Sequence, residues 1–156
     1  MDRPVLAIGA VTLIVLGVII GISVYSQSHF EPRKECVEHS VGLSMHIHPQ
    51  LSIMINGQPV TIPANIGIQP SCMQAIHTHD DTGKLHVEYP QQYDFKLGDF
   101  FANWGQAFSK TQILDKTVDA NDSLTMTVDG QPNTDFENLV LHDGQVIIID
   151  YKEQPN

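Results

Sequence analysis

Positive charge is scarce in this chain: eight Lys and Arg stand against 18 Asp and Glu, a net of −10 with histidine neutral. That shortage excludes nucleic acid as a natural partner, since its backbone is gripped by basic patches, and favours the attraction of cations. Cysteine is scarce too. The chain has two, Cys36 and Cys72. No internal repeat is present, and no HExxH motif or nucleophile elbow, which excludes a repeat array and the standard zinc-protease and serine-hydrolase arrangements.

Charge is missing altogether from Val5 to Val24, a run of 20 residues. At about 1.5 Å rise per residue, a helix of that length matches a hydrocarbon core of roughly 30 Å. A cleaved signal peptide would have an apolar stretch of about 7–15 residues and a small-x-small cleavage site, whereas this run ends in Val24-Tyr25-Ser26. Residues 1–25 therefore read as an uncleaved transmembrane signal anchor, 26–44 as a linker and 45–156 as the folded domain. Gly9, Gly17 and Gly21 form a ridge of small residues that lets another membrane helix approach closely.

Basic residues on both sides of the run, Arg3 before it and Arg33 and Lys34 after it, leave orientation open by charge alone. Other features place the domain outside the cytoplasmic membrane: 17 of the 18 acids follow residue 25, and Asn121-Asp122-Ser123 spells a glycosylation sequon. Two cysteines are consistent with one Cys36–Cys72 disulfide in an oxidising compartment; two free thiols or copper-binding thiolates are the alternatives.

Histidine is the abundant residue. Five of eight fall in two clusters, His46-Ile47-His48 and His77-Thr78-His79 through His86-Val87-Glu88. A strand sends residues i and i+2 to one face, so each His-x-His presents two imidazoles together. Asp80 to Gly83 reads as a hairpin turn. A four-residue loop sets His77 opposite His86, a two-residue loop at Thr82-Gly83 sets His79 opposite His86, and both registers put all three imidazoles on one face. Three neutral imidazoles suit zinc or copper. His46 and His48 either complete that site, form a second one, or line the polar face of an entering strand. His29, His39 and His142 read as solvated side chains. Met45, Met54 and Met73 would favour Cu(I) if they turned toward the histidines.

The remaining pattern is mainly β, an α+β domain built from small antiparallel hairpins with one short helix. Asn56-Gly57 predicts a tight turn pairing Ile53 with Val60 and Leu51 with Ile62. Gly98 to Trp104 predicts the helix, with Phe100, Phe101 and Trp104 as its apolar stripe and Gly105 closing it. Ser123 to Val128 and Gln145 to Tyr151 read as strands, bounded by Asp129-Gly130 and Asp143-Gly144.

Taken together, His48-Pro49, Asn56-Gly57, Ile62-Pro63-Ala64-Asn65-Ile66-Gly67-Ile68, His77-Thr78-His79-Asp80, Thr82-Gly83, His86-Val87-Glu88, Leu97-Gly98-Asp99-Phe100-Phe101 and Trp104-Gly105 resemble a family of membrane-anchored, histidine-rich extracytoplasmic proteins of archaea and bacteria. The likeness spans roughly residues 46 to 151 and implies a location, not an activity. The family's archaeal branch is frequent in ammonia oxidisers, so the resemblance implies copper and the transmembrane helices of a larger complex, such as a copper-dependent monooxygenase, as metal and partner.

Three functions fit the sequence. First is a metal-binding module holding copper or zinc beside a membrane complex, with no catalysis of its own. Second is a purely structural accessory subunit with incidental histidines. Third is a small metalloenzyme with Glu88 or Asp80 as base; for that reading, the cupin-like His-x-His lacks a glutamate within the next three or four residues.

Overall fold

The computed structural model describes residues 3–28, 31–37 and 42–153, with side chains from 11 onward in the first of these segments and only to 25. His29 and His39 lie outside the described residues, as does the side chain of Gly9. The chain divides into two compact units, Met1–Pro32 and Arg33–Asn156. In the first, α1 (Arg3–Ser28) forms over the uncharged run, and Val11 to Tyr25 is exposed along its length. Among the described residues, no helix is long and apolar enough to cross a membrane.

The second unit is mainly β. Its first strand, β1 (Met45–Ile47), is followed by the hairpin of β2 (Gln50–Ile55) and β3 (Gln58–Val60). Asn56 and Gly57 both adopt positive φ, 53° and 78°, as the turn signal requires, and Ile53 pairs with Val60. The pairing stops there. Ile62 is buried but unpaired with Leu51, because Pro63 follows it and the chain turns away into the loop 63–67.

Next come the short pairs β4 (Ile68–Gln69) with β5 (Cys72–Met73), and β6 (Ile76–His77) with β7 (His86–Tyr89). Helix α2 (Leu97–Trp104) begins one residue earlier than the apolar stripe predicts: the Asp99 side chain accepts from Lys96 N at 2.9 Å and caps it there. Phe100 and Phe101 enter the core, and Gly105 at φ 72° ends the helix as expected. Three two-residue strands, β8 (Phe108–Ser109), β9 (Gln112–Ile113) and β10 (Lys116–Thr117), form a small separate sheet.

The C-terminal third supplies β11 (Ser123–Val128), β12 (Gln131–Asn133) and β13 (Val146–Lys152). The main sheet has the order β12-β11-β13-β2-β3. Its central pair is parallel, Ile147 opposite Leu51 and Ile149 opposite Ile53, an exception to the antiparallel, hairpin-rich pattern that the sequence predicts. Periodicity assigns a face to each of these strands but not a neighbour; the long crossover from β2 to β13 makes the parallel pairing possible. Leu51, Ile53, Ile147, Ile149, Met126 and Tyr151 all turn into one core, while Val146 and Ile148 alternate outward.

Residues 33–37 were expected in the linker and instead belong to the folded unit. Cys36 is bonded to Cys72, Val37 N donates to Met73 O at 2.7 Å, and Arg33 Nη1 donates to Asn103 Oδ1 at 3.1 Å. The disulfide removes the thiolate alternatives for both cysteines. It joins residues 36 apart, for which the chain-entropy treatment gives about 3–4 kcal/mol. Replacing both cysteines with serine should lower the unfolding free energy by that order in urea titrations. A loss below about 1 kcal/mol would show that the segment is held by its other contacts.

Candidate metal centre

A three-stranded sheet in the order β1-β7-β6 carries the histidines. Along β7, Val87 points to the core and His86 and Glu88 point the other way. Val87 pairs with Ile47 on one side and Ile76 on the other, and this fixes the outer face as well: His46 lies opposite Glu88, and His77 opposite His86. The register is the one set by the four-residue loop Asp80–Gly83; the two-residue alternative does not form. Five imidazoles therefore share one face, the His46/His48 pair on one side of β7 and the His77/His79 pair on the other.

His79 lies past the end of β6, so the strand ladder does not hold it. The loop 63–67 does. Thr78, fully buried between the two histidines, donates its hydroxyl to Pro63 O at 2.8 Å and accepts from Ile66 N at 3.1 Å, while Thr78 N donates to Ile66 O and Asn65 N to Thr78 O. Gly67, at φ 73°, is pressed against the same segment, and a Cβ there would lie 2.5 Å from Ile76 O. The far end of the hairpin is tied to β2: Leu51 N donates to Gly83 O at 2.9 Å, and Gln50 Nε2 donates to Thr82 O at 2.7 Å. A Cβ on Gly83, at φ 80°, would lie 2.2 Å from Leu51 O, so only glycine fits.

Two groups of three histidines bring one ligand atom each to within 4.8 Å of one another: His77, His79 and His86, and His46, His48 and His86. His86 belongs to both. The ring centroids of His77 and His79 are 4.7 Å apart, those of His79 and His86 4.5 Å, and those of His48 and His86 4.7 Å. His77 Nε2 and His79 Nε2 are 3.2 Å apart. Two ligands on a tetrahedral ion at about 2.0–2.1 Å are separated by about 3.3 Å, so this spacing fits a common metal.

For His77 and His46 an acceptor sits against the outer nitrogen, as a ligand requires. His77 Nδ1 donates to Gln74 O at 3.0 Å, which leaves the lone pair on Nε2, facing the cluster. His46 Nε2 lies 3.2 Å from Glu88 Oε1, and His48 Nδ1 lies 3.8 Å from Asp143 Oδ1. Asp143 carries only a turn signal in the sequence, and the Gln74 carbonyl carries no signal at all. Among the methionines, Met45 is buried opposite Tyr89 on the core face, Met54 sits in the main sheet and Met73 in β5. His142 is exposed and belongs to neither group of three. Asp80 is not placed as a base, because its carboxylate accepts from both the hydroxyl and the backbone N of Thr82, and these bonds hold it below the usual carboxylate range.

Burial favours the neutral form of His77 and His86. His77 is brought down to about 4 by loss of solvent, opposed in part by its bond to Gln74 O, and His86 is lowered by burial and then by its histidine neighbours. A neutral imidazole is the metal-binding form. No family model, curated protein or solved structure matches the chain.

The His77 shift has a thermodynamic consequence in metal-free protein. The unfolded chain takes up its proton near pH 6.5 and the folded one only near 4, so stability present above about 6.5 is lost as pH falls toward 4. The expected loss is roughly 3 kcal/mol. Urea titrations in chelator at pH 7 and pH 4.5 should show it, and His77→Gln should flatten the dependence. An equal slope in that variant would place the effect elsewhere.

Proposed function

We propose that this protein is a membrane-anchored, extracytoplasmic metal-binding module that holds copper or zinc through His77, His79 and His86, as an accessory subunit of a larger membrane complex. The observation that carries the metal reading is the convergence of three imidazoles, with His77 Nε2 and His79 Nε2 at 3.2 Å and the outer nitrogen of His77 fixed by a carbonyl. Incidental histidines have no need of that convergence. Both nitrogens of the buried His77 are partnered, Nδ1 by Gln74 O and Nε2 by His79 Nε2, and an ion between the two rings would take the place of the second of these bonds.

The chemistry favours Cu(II) or Zn(II), since the donors are nitrogen and carry no sulfur. A bound ion would be available for storage, delivery or structural support. Hydrolytic chemistry is less well served, because Asp80 is held in its turn and Glu88 is set against His46. The uncharged run Val5 to Val24 supports the anchor, and the Cys36–Cys72 disulfide supports an oxidising compartment. A Cβ at Gly17 or Gly21 would meet nothing among the described residues, so these glycines are free to serve contact with a neighbouring membrane helix.

Calorimetric titration of the full-length, detergent-solubilised protein with Zn(II) at pH 7 should give saturable binding that falls at least 100-fold in the His77→Ala/His79→Ala/His86→Ala variant. Because His77 is buried, His79→Ala alone, at an exposed position, is the control for folding and should cost 10-fold or more. Native affinity in both variants would refute the assignment. For the anchor, the protein should remain in the membrane pellet after alkaline carbonate extraction. Release into the supernatant would refute an integral helix.

A further inference from the structure

His86 differs from His77 and His46 in what holds its outer nitrogen. His77 has the Gln74 carbonyl and His46 has Glu88 at 3.2 Å, and Asp143, which accepts from the His48 backbone N–H, lies 3.8 Å from His48 Nδ1, whereas His86 Nδ1 is buried and has no hydrogen-bond partner among the described residues. A histidine that binds one metal ordinarily donates its second N–H to an acceptor. His86 has no such acceptor, and it stands on the central strand of its sheet with one histidine pair on each side, a member of both groups of three.

From this placement we infer that the site is dinuclear, with the His86 ring bridging two metal ions, one held with His77 and His79 and the other with His46 and His48. This rests on the metal reading above and adds a second ion and a bridge to it. A neutral imidazole carries one N–H. The first ion takes the lone pair of one nitrogen; the second takes the place of the proton on the other, which leaves to solvent, so His86 becomes an imidazolate shared by two cations. Glu88 at 3.2 Å from His46 Nε2, and Asp143 beside His48, leave the opposite nitrogens of those rings for the second ion and place carboxyl groups where they offset its charge. The edge-on packing of His86 against both His48 and His79, at 88° and 79°, sets it across the two groups instead of in line with either.

The test is titration of metal-free, full-length protein with Cu(II), followed by calorimetry in buffers of different ionisation enthalpy and by electron paramagnetic resonance. Two ions per chain are expected, the second releasing one proton more than the loss of the imidazoles' ordinary protons requires. The resonance signal should grow to one equivalent and then diminish as the second copper couples to the first. In His46→Ala/His48→Ala, both changes lying at exposed or half-buried positions, binding should stop at one ion with an undiminished signal. One ion in native and variant alike would overturn the second site while leaving the first intact. Two ions with additive, uncoupled signals would overturn the bridge. No binding at all would overturn the metal reading itself.

Discussion

If β7 slipped by one residue against its neighbours, His86 and Glu88 would turn into the core and Val87 would turn to solvent. The metal centre depends on that slip being forbidden. What forbids it is apolar: Val87, Ile76 and Leu85 are fully buried, and Val87 is flanked by Ile47 and Ile76 in the two ladders. Burying a Val, Leu or Ile side chain contributes about 1.5–3 kcal/mol each, so a slipped register would forfeit several such contributions and bury imidazoles in their place. The core of the sheet thus fixes the chemistry of its outer face from the opposite side.

The ladder orders His46, His77 and His86, and the rest of the centre depends on loops. The segment Pro63 to Gly67 clasps Thr78 and thereby sets His77 and His79 on either side of a fixed residue, while Gly83 and Thr82 dock the hairpin end on β2. These contacts are made largely by backbone, which explains the two glycines that have no room for a Cβ. The disulfide extends the same support, since the chain from Cys72 reaches Gln74, whose carbonyl orients His77, within two residues. Rigid backing matters because a metal site depends on the placement of its ligands to within a fraction of an ångström.

Much of this was legible in the sequence, for identifiable reasons. The His-x-His spacing, the Asp80–Gly83 turn and the alternation of Ile76, Leu85 and Val87 with histidine are local signals of period two, and the structure shows the face they predict. Asn56-Gly57 and the helix ending at Gly105 were legible for the same reason. The parallel pairing of β2 with β13 was not, because a partner some 90 residues away leaves no trace in the period of either strand. Nor was the sharing of His86 between two groups, which needs β1 and β6 on opposite sides of β7. Gln74 acts through its carbonyl and Arg33 to Val37 through a disulfide and backbone bonds, features that residue type does not announce.

The central claim is that imidazole nitrogens of the β6–β7 hairpin form the inner shell of a metal ion. X-ray absorption at the zinc edge, on full-length protein carrying one equivalent of Zn(II), reads that shell directly. The account predicts nitrogen at about 2.0–2.1 Å with the outer-shell scattering of about three imidazole rings, lost in His77→Ala/His79→Ala/His86→Ala. A shell of oxygen without imidazole scattering, or a spectrum unchanged by those substitutions, would contradict it.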